Sequence, residues 1–219
     1  MDFDLFWSSL GPLLLGAVKG TIPLALASFA VGLVLALVVA MMRISSNKLA
    51  NGAGRFYVSV IRGTPLLVQL FVIFYGLPAI GVKIDPWPSA IIAFSLNVGG
   101  YAAEVIRAAI LSVPQGQWEA GHMIGMSGNQ TLLRIILPQA ARVSVPPLSN
   151  TFISLVKDTS LASLILVTEM FRVAQQVAAF SQEFMLLYLE AALIYWVICL
   201  ALSTAQTRLE KRLDRYVAH

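Results

Sequence analysis

Charge is scarce in this chain. Asp, Glu, Lys and Arg together make up 12% of its residues, about half of what a soluble domain of this size carries. Hydrophobic residues make up 58% and mean hydropathy is +0.80. The shortage excludes a soluble globular fold and points to an all-α polytopic membrane protein. Cysteine is scarcer still. The lone Cys199 excludes an intrachain disulfide and says nothing about compartment. Two histidines, His122 and His219, are too few for a metal site or a serine-histidine-acid set. No phosphate-binding G-x-x-x-x-G-K-[ST] loop occurs. Energy for uphill work must therefore come from a gradient or from another chain. Repeats, linkers and low-complexity tracts are missing too, so residues 1–219 read as one integral domain. The first four residues, MDFD, are acidic and lack the basic region of a signal peptide, so the apolar segment after them reads as retained.

About 20 apolar residues cross the hydrocarbon core, and five runs reach that length. They lie near residues 21–42, 56–80, 87–111, 143–171 and 184–206. Residues 5–18 form a shorter apolar helix interrupted by Lys19 and Gly20, lying at the interface or leading into the first span. Pro146 and Pro147 fall in the first turn of the fourth span, where proline is tolerated. Trp87 and Tyr57 fit interfacial anchors. Basic residues sort to one side. The link after the first span holds Arg43, Lys48 and Arg55 with no acid. The link after the third holds Arg134 and Arg142 against Glu119, with Arg107 just before it. The tail holds Arg208, Lys211, Arg212 and Arg215 against Glu210 and Asp214. Opposite them, Lys83 faces Asp85, and Arg172 has Glu169 and Glu183 nearby. The basic side is cytoplasmic, which puts the N-terminus outside and the C-terminus inside. Sorted this way, the net charge of +4 is no sign of nucleic acid.

Polar residues inside spans are costly and mark pathways or pairings. The third span carries Asn97, Tyr101 and Glu104 on one helical face. Arg107 lies three residues beyond Glu104 and can pair with it, so that pair serves either a path or plain neutralisation. The fourth carries Asn150, Ser154 and Lys157-Asp158 along one face, followed by Thr159 and Ser160. A lysine beside an aspartate, with two hydroxyls following, suits a zwitterion at a locally broken helix. Arg62, Thr64 and Pro65 open the second span at its cytoplasmic end as a gate, a packing contact, or an interfacial arginine with a helix-shaping proline. Gln69, within that span, can line a path.

Residues 119–138, EAGHMIGMSGNQTLLRIILP, stand apart because they lack a membrane-grade core. Glycines at 121, 125 and 128 break the helix, and Leu132, Leu133, Ile136 and Leu137 recur near helical spacing. The stretch reads as helix, turn, helix, ended by Pro138. Charge sorting places it in the cytoplasm.

This stretch resembles the EAA loop of permease subunits of bacterial ATP-binding cassette importers. That family's pattern is Glu-Ala-Ala, three residues, Gly, nine residues, Ile-x-Leu-Pro. Here Glu119, Ala120 and Gly121 are followed by Gly125, then Ile135, Leu137 and Pro138, with both spacings kept. Gly121 in place of the second alanine is the one departure, expected to loosen the first helix slightly. RGTPLLVQL at 62–70, SLNVGGYAAEVIRAAI at 95–110 and LPQAARVSVPPLSNTFISLVKDTSL at 137–161 are similar to the polar amino-acid branch. FYVSVIRGTP, FYGLP and PPLSNTFISLVKDTSL are similar to L-cystine permeases, while arginine, histidine, glutamine and glutamate permeases share much of this vocabulary.

The resemblance implies a type I importer in the bacterial inner membrane. Two permease subunits, often identical, would form the path for a small polar amino acid. A cytoplasmic ATPase dimer would hold the ATP and Mg, and an extracytoplasmic amino-acid-binding protein would deliver the solute. Surrounded by membrane lipid, the chain itself would be non-catalytic and need no cofactor. The coupling helix would lie around residues 125–131, including Met126 and Ser127, supported by Glu119 and Ala120. A gradient-driven carrier, coupling protons through Glu104 and Asp158, is the competing reading.

Overall fold

The computed structural model describes residues 3–214. Asp2, Arg215 and His219, used above, lie outside them. The described residues are helical, with no strand among them. Helix α1 (Phe3–Gly16) runs through a five-residue π-helical turn into α2 (Ile22–Ile44). Helix α3 spans Lys48–Gly63, and α4 (Leu66–Phe71) continues in irregular turns to Ile80. Helix α5 is Pro86–Ser112, α6 is Gln115–Met123 and α7 is Gly128–Thr131. Helix α8 is Leu137–Asp158, α9 is Met170–Ser181 and α10 is Phe184–Asp214. Three helices are long and apolar enough to cross a membrane, and two bent pairs bring the number to as many as five. That agrees with the five runs in the sequence, but two of the five are not straight.

Helix α5 is the centre of the bundle. Ala90, Ala93, Ala102 and Ala103 are fully buried, and so is Phe94. These small side chains let α2 lie close along it, and close approach is how helices associate where lipid offers no hydrophobic gain. A second cluster joins α1, α9 and α10 through Leu13, Ala17, Met170, Ala174, Leu187 and Ala191.

Four expectations need correction. First, Lys19 and Gly20 do not interrupt the first helix. Asp4–Ile44 runs as one helix of 41 residues, because the π turn at Ala17–Thr21 absorbs the irregularity. Gly20 is needed there: a Cβ would lie 2.5 Å from Glu169 Cα. Second, residues 56–80 are not one straight helix opened by Arg62–Pro65. Helices α3 and α4 meet at 105°. Tyr57 donates its hydroxyl to the Leu96 carbonyl at 2.6 Å, joining α3 to α5. The break therefore lies beside the middle of α5. Third, Pro138 does not end the helix. The π turn at Leu132–Ile136 carries the chain past it, with Leu137 N–H bonding Leu132 O. Gln139 Nε2 donates to the Ile135 carbonyl at 3.0 Å. Fourth, Pro146 and Pro147 lie inside α8, not in a first turn, and Gln206 Nε2 reaches the Pro146 carbonyl at 3.4 Å.

Candidate functional site: a polar cavity and a cytoplasmic loop

The break between α3 and α4 has a local cause. Pro65 has no N–H to offer the Ile61 carbonyl, and its ring pushes the preceding residue out of the helical region. Thr64 is accordingly extended (φ −121°, ψ 146°). The amide of Gln69 fills the gap. Its Nε2 lies 2.8 Å from Ile61 O, 3.1 Å from Thr64 O and 2.9 Å from Thr64 Oγ1. Its oxygen accepts from Asn97 Nδ2 at 3.3 Å. Gln69 thus buttresses the break.

Opposite the break, α8 ends at Asp158 and the chain tightens into a 3₁₀ turn over Thr159–Ile165. Between the two lies a cavity of about 420 Å³ lined by Thr64, Pro65, Leu66, Asn97, Val98, Tyr101, Asn150, Thr151, Ser154, Leu155 and Asp158. Asn97 and Tyr101 reach it from one face of α5, and Asn150, Ser154 and Asp158 from one face of α8. Arg62 stands at its side with the guanidinium carbon 5.4 Å from the Tyr101 ring centroid, an approach that suits a cation over an aromatic face. By contrast, a hollow of about 360 Å³ between α2, α5 and α8 is lined by Leu33, Val34, Leu37, Ile106, Leu137, Ala140, Ala141, Ser144 and Leu148, almost wholly apolar.

Other residues singled out in the sequence are placed elsewhere. Lys157 is exposed and does not line the cavity. Thr159 is fully buried, donating to the Val156 carbonyl at 2.7 Å, and Ser160 donates to the Lys157 carbonyl at 2.8 Å. Glu104 faces α2 rather than the cavity. It pairs with Arg107 at 3.1 Å, as the spacing suggested, and with Arg43 at 3.0 Å, which the sequence did not reveal. The clamp ties the C-terminal end of α2 to the C-terminal half of α5. Glu169 was read only as an outer charge. It is fully buried and accepts from Phe171 N–H, Arg172 N–H and the Tyr195 hydroxyl, at 2.8, 2.7 and 2.9 Å. The Glu169 carboxylate caps the first turn of α9, a role more usual for Ser, Thr, Asp or Asn, and it also joins α9 to α10.

The loop is a compact helical hairpin. Helix α6 ends with Gly125 at φ 80°, a left-handed conformation that favours glycine. Met126 N–H bonds Gly121 O and Gly125 N–H bonds His122 O, each at 3.0 Å, the paired closure of a Schellman ending. Ser127 then caps α7, and its capping box with Gln130 is complete. Gly121 does not loosen α6. It is buried, and a Cβ there would lie 2.6 Å from both Cγ2 and Oγ1 of the fully buried Thr131. The glycine lets α6 and α7 touch. Glu119, Ala120 and Pro138 are exposed, whereas Met126, Ile135 and Leu137 are half-buried. Met123 and Ile124 were not singled out, yet they are 87% and 74% exposed at the tip. Two large apolar residues directly before a turn glycine were the available signal. Apolar side chains bare at a loop tip suit a docking contact.

Residues 17–215 match the family model described as "Binding-protein-dependent transport system inner membrane component". The chain is 59% identical to the L-cystine transport system permease protein TcyB of Bacillus subtilis (strain 168), over 219 residues covering 100% of this chain and 94% of that one. It is 36% identical to the glutamine transport system permease protein GlnP of Escherichia coli (strain K12), over 97% of each. A solved amino acid ABC transporter, crystallised with histidines, superposes with a TM-score of 0.90 at 32% identity, covering 97% of this chain and 99% of that one. An inward-facing MetNI methionine ABC transporter shares the fold, with a TM-score of 0.79 at 19% identity over 97% of this chain and 99% of that one.

Proposed function

The chain belongs to the family of binding-protein-dependent transport system inner membrane components, and from that premise we propose that it is the permease subunit of an ATP-driven importer of L-cystine. The substrate assignment rests on the 59% identity to the cystine permease across the whole chain. The mechanism rests on one observation: a continuous helical element, Gly128–Ile165, carries both α7 of the loop and Asp158. From Gly128 to Asp158 it reaches about 45 Å at 1.5 Å per residue. A push on the cytoplasmic hairpin is therefore delivered to the cavity wall.

In this reading Met123, Ile124 and Gly125 form the tip that meets the ATPase. Glu119, Ala120 and Gly121 hold α6 against α7, and Met126, Ser127, Ile135, Leu137 and Pro138 join the tip to α8. The ATPase dimer closes on ATP and Mg, and this chain supplies no catalytic group. The α8 wall then shifts against the α3–α4 break, and the cavity changes the side to which it opens. An amino-acid zwitterion fits the cavity. Asp158 receives the ammonium group, and Arg62, held over Tyr101, receives the carboxylate. Arg62 thus takes the part that spacing had given to Lys157. Asn150 and Ser154 supply neutral hydrogen bonds. A second copy of the chain completes the path, residues 1–219 act as one domain, and the C-terminus lies in the cytoplasm.

The test is uptake by proteoliposomes holding this chain, its ATPase and its binding protein, with L-cystine competed by arginine, glutamine, glutamate and histidine. ATP-dependent uptake competed best by unlabelled cystine is expected. Uptake by this chain alone without ATP would overturn the reading.

A further inference from the structure

The hydrogen bonds at the α3–α4 break determine more than its shape. They fix which way two side-chain amides face. Gln69 Nε2 has two protons and lies within 3.1 Å of three oxygens, Ile61 O, Thr64 O and Thr64 Oγ1. Thr64 Oγ1 spends its own proton on the Val60 carbonyl at 2.8 Å, so it too offers Gln69 a lone pair. Were the Gln69 amide turned over, its oxygen would face three acceptors and the Ile61 carbonyl would lose its replacement partner. The nitrogen must therefore point into the break and the oxygen toward α5. That oxygen accepts only a donor, so Asn97 must present Nδ2 to it, at 3.3 Å. Asn97 Oδ1 is left over. It makes no hydrogen bond to another described residue, and Asn97 lines the cavity that Asp158 also lines.

We propose that Gln69 is a positioning residue that fixes the polarity of the Asn97 carboxamide, so that the cavity shows an amide oxygen, together with the Asp158 carboxylate, to a ligand's ammonium group. The inference rests on the reading of the cavity as an amino-acid site. It separates two roles that sequence spacing had merged. Gln69 never meets the ligand, and Asn97 meets it with its oxygen. The missing N–H of Pro65 is the origin of the order: it creates the carbonyl that holds Gln69, and Gln69 in turn orients Asn97. A ligand without an ammonium group gains nothing from an oxygen there and pays its desolvation.

The experiment compares L-cystine with 3,3′-dithiodipropionate, which is cystine without its two amino groups. Binding of each is measured by calorimetry on the purified complex of this chain with its ATPase. In wild type, cystine binds more tightly. In Gln69→Met that preference falls about tenfold, as expected for losing one hydrogen bond to a charged group, and affinity for the desamino compound stays the same. Asn97→Leu loses the same amount, and the double variant loses no more. Pro65→Ala combined with Gln69→Met restores an N–H for Ile61 and raises thermal stability, but the preference stays lost. The proposal is overturned if Gln69→Met weakens both ligands equally, or if the Pro65→Ala combination regains the preference. If wild type does not discriminate and Asp158→Asn leaves cystine binding intact, the cavity reading fails as well. If Asp158→Asn abolishes cystine binding but Gln69→Met keeps the preference, only the present inference fails.

Discussion

Two stretches of this chain meet proline in opposite ways. At Thr64–Pro65 a single proline turns the chain by 105°. Between Gly128 and Ile165 three prolines, Pro138, Pro146 and Pro147, leave one continuous helical element. The difference lies in where the freed carbonyls find partners. At Pro65 a side chain from beyond the break, Gln69, bonds both Ile61 O and Thr64 O. The bent form is thus stabilised, and Gly63 just before it lowers the cost of ending α3. At Pro138 a π turn over Leu132–Ile136 shifts the bonding by one residue, and the helix runs on through Leu137–Asp158. Proline alone removes a hydrogen bond, and the surroundings decide whether the helix ends. Here the outcome gives the cavity one broken wall and one continuous wall that runs on to the loop, and on the proposed mechanism the first yields while the second stays stiff.

The largest expected effect comes from the residue where the two walls face each other. Asp158→Asn removes the one acid among the described residues that line the cavity, and ATP-driven cystine uptake should fall at least about 100-fold, given the roughly 2–5 kcal/mol typical of truncating one partner of a buried charge pair. Uptake within about twofold of wild type would separate Asp158 from the path.

The contrast between the prolines can be broken directly. Pro65→Ala returns an N–H to Ile61 and favours helix by about 3 kcal/mol at that position. Uptake should drop about tenfold while the melting temperature of the complex holds or rises. Pro147→Ala, made in a helix that is already continuous, should leave uptake within about twofold and raise stability by up to about 3 kcal/mol. Equal losses of uptake from both variants would remove the distinction between a yielding and a stiff wall.

Gly121→Ala acts on the foot of the stiff element. The added methyl meets Thr131 at 2.6 Å, and overpacking of this kind costs about 1–3 kcal/mol. Less ATPase should co-purify with the variant, and Thr131→Ala in the same chain should restore it. Failure of the rescue would show that the contact is not what Gly121 serves. The smallest effect belongs to Arg43→Gln. The side chains of its pair with Glu104 are 17% and 19% exposed, and Arg107 remains as a partner. Thermal unfolding should show a loss of about 1 kcal/mol or less.

Much of this was legible along the chain, because the signals are local. Hydropathy gave five runs, and the 3–4 residue spacing placed Asn97 with Tyr101 and Asn150 with Ser154 and Asp158. The EAA spacing marked the loop, and Gly125 does adopt the left-handed turn. What could not be read depends on residues distant in sequence. Arg62 meets Tyr101, Arg43 meets Glu104 and Tyr195 meets Glu169 only after the helices pack. Lys157 looked like a partner for a zwitterion because it adjoins Asp158, but neighbours in a helix point about 100° apart. Gly121 looked like a weak point because propensity was judged without its neighbour Thr131. The proline errors share a cause: rules for proline describe the bond lost, and the replacement donors lie on side chains or in a π turn.

The central claim is that the loop and the α8 wall move together, as one body, against the α3–α4 break. Spin labels at Asn129 and Lys157, both exposed on the Gly128–Ile165 element, and a third site at the exposed Val68 on α4, test it in a Cys199→Ser background. Distances are measured by double electron–electron resonance in the assembled transporter, with and without ATP and Mg. The account predicts that the 129–157 distance, about 42 Å at the helical rise, stays fixed while the 68–157 distance shifts with nucleotide. A 129–157 distance that changes as much as the other would contradict it.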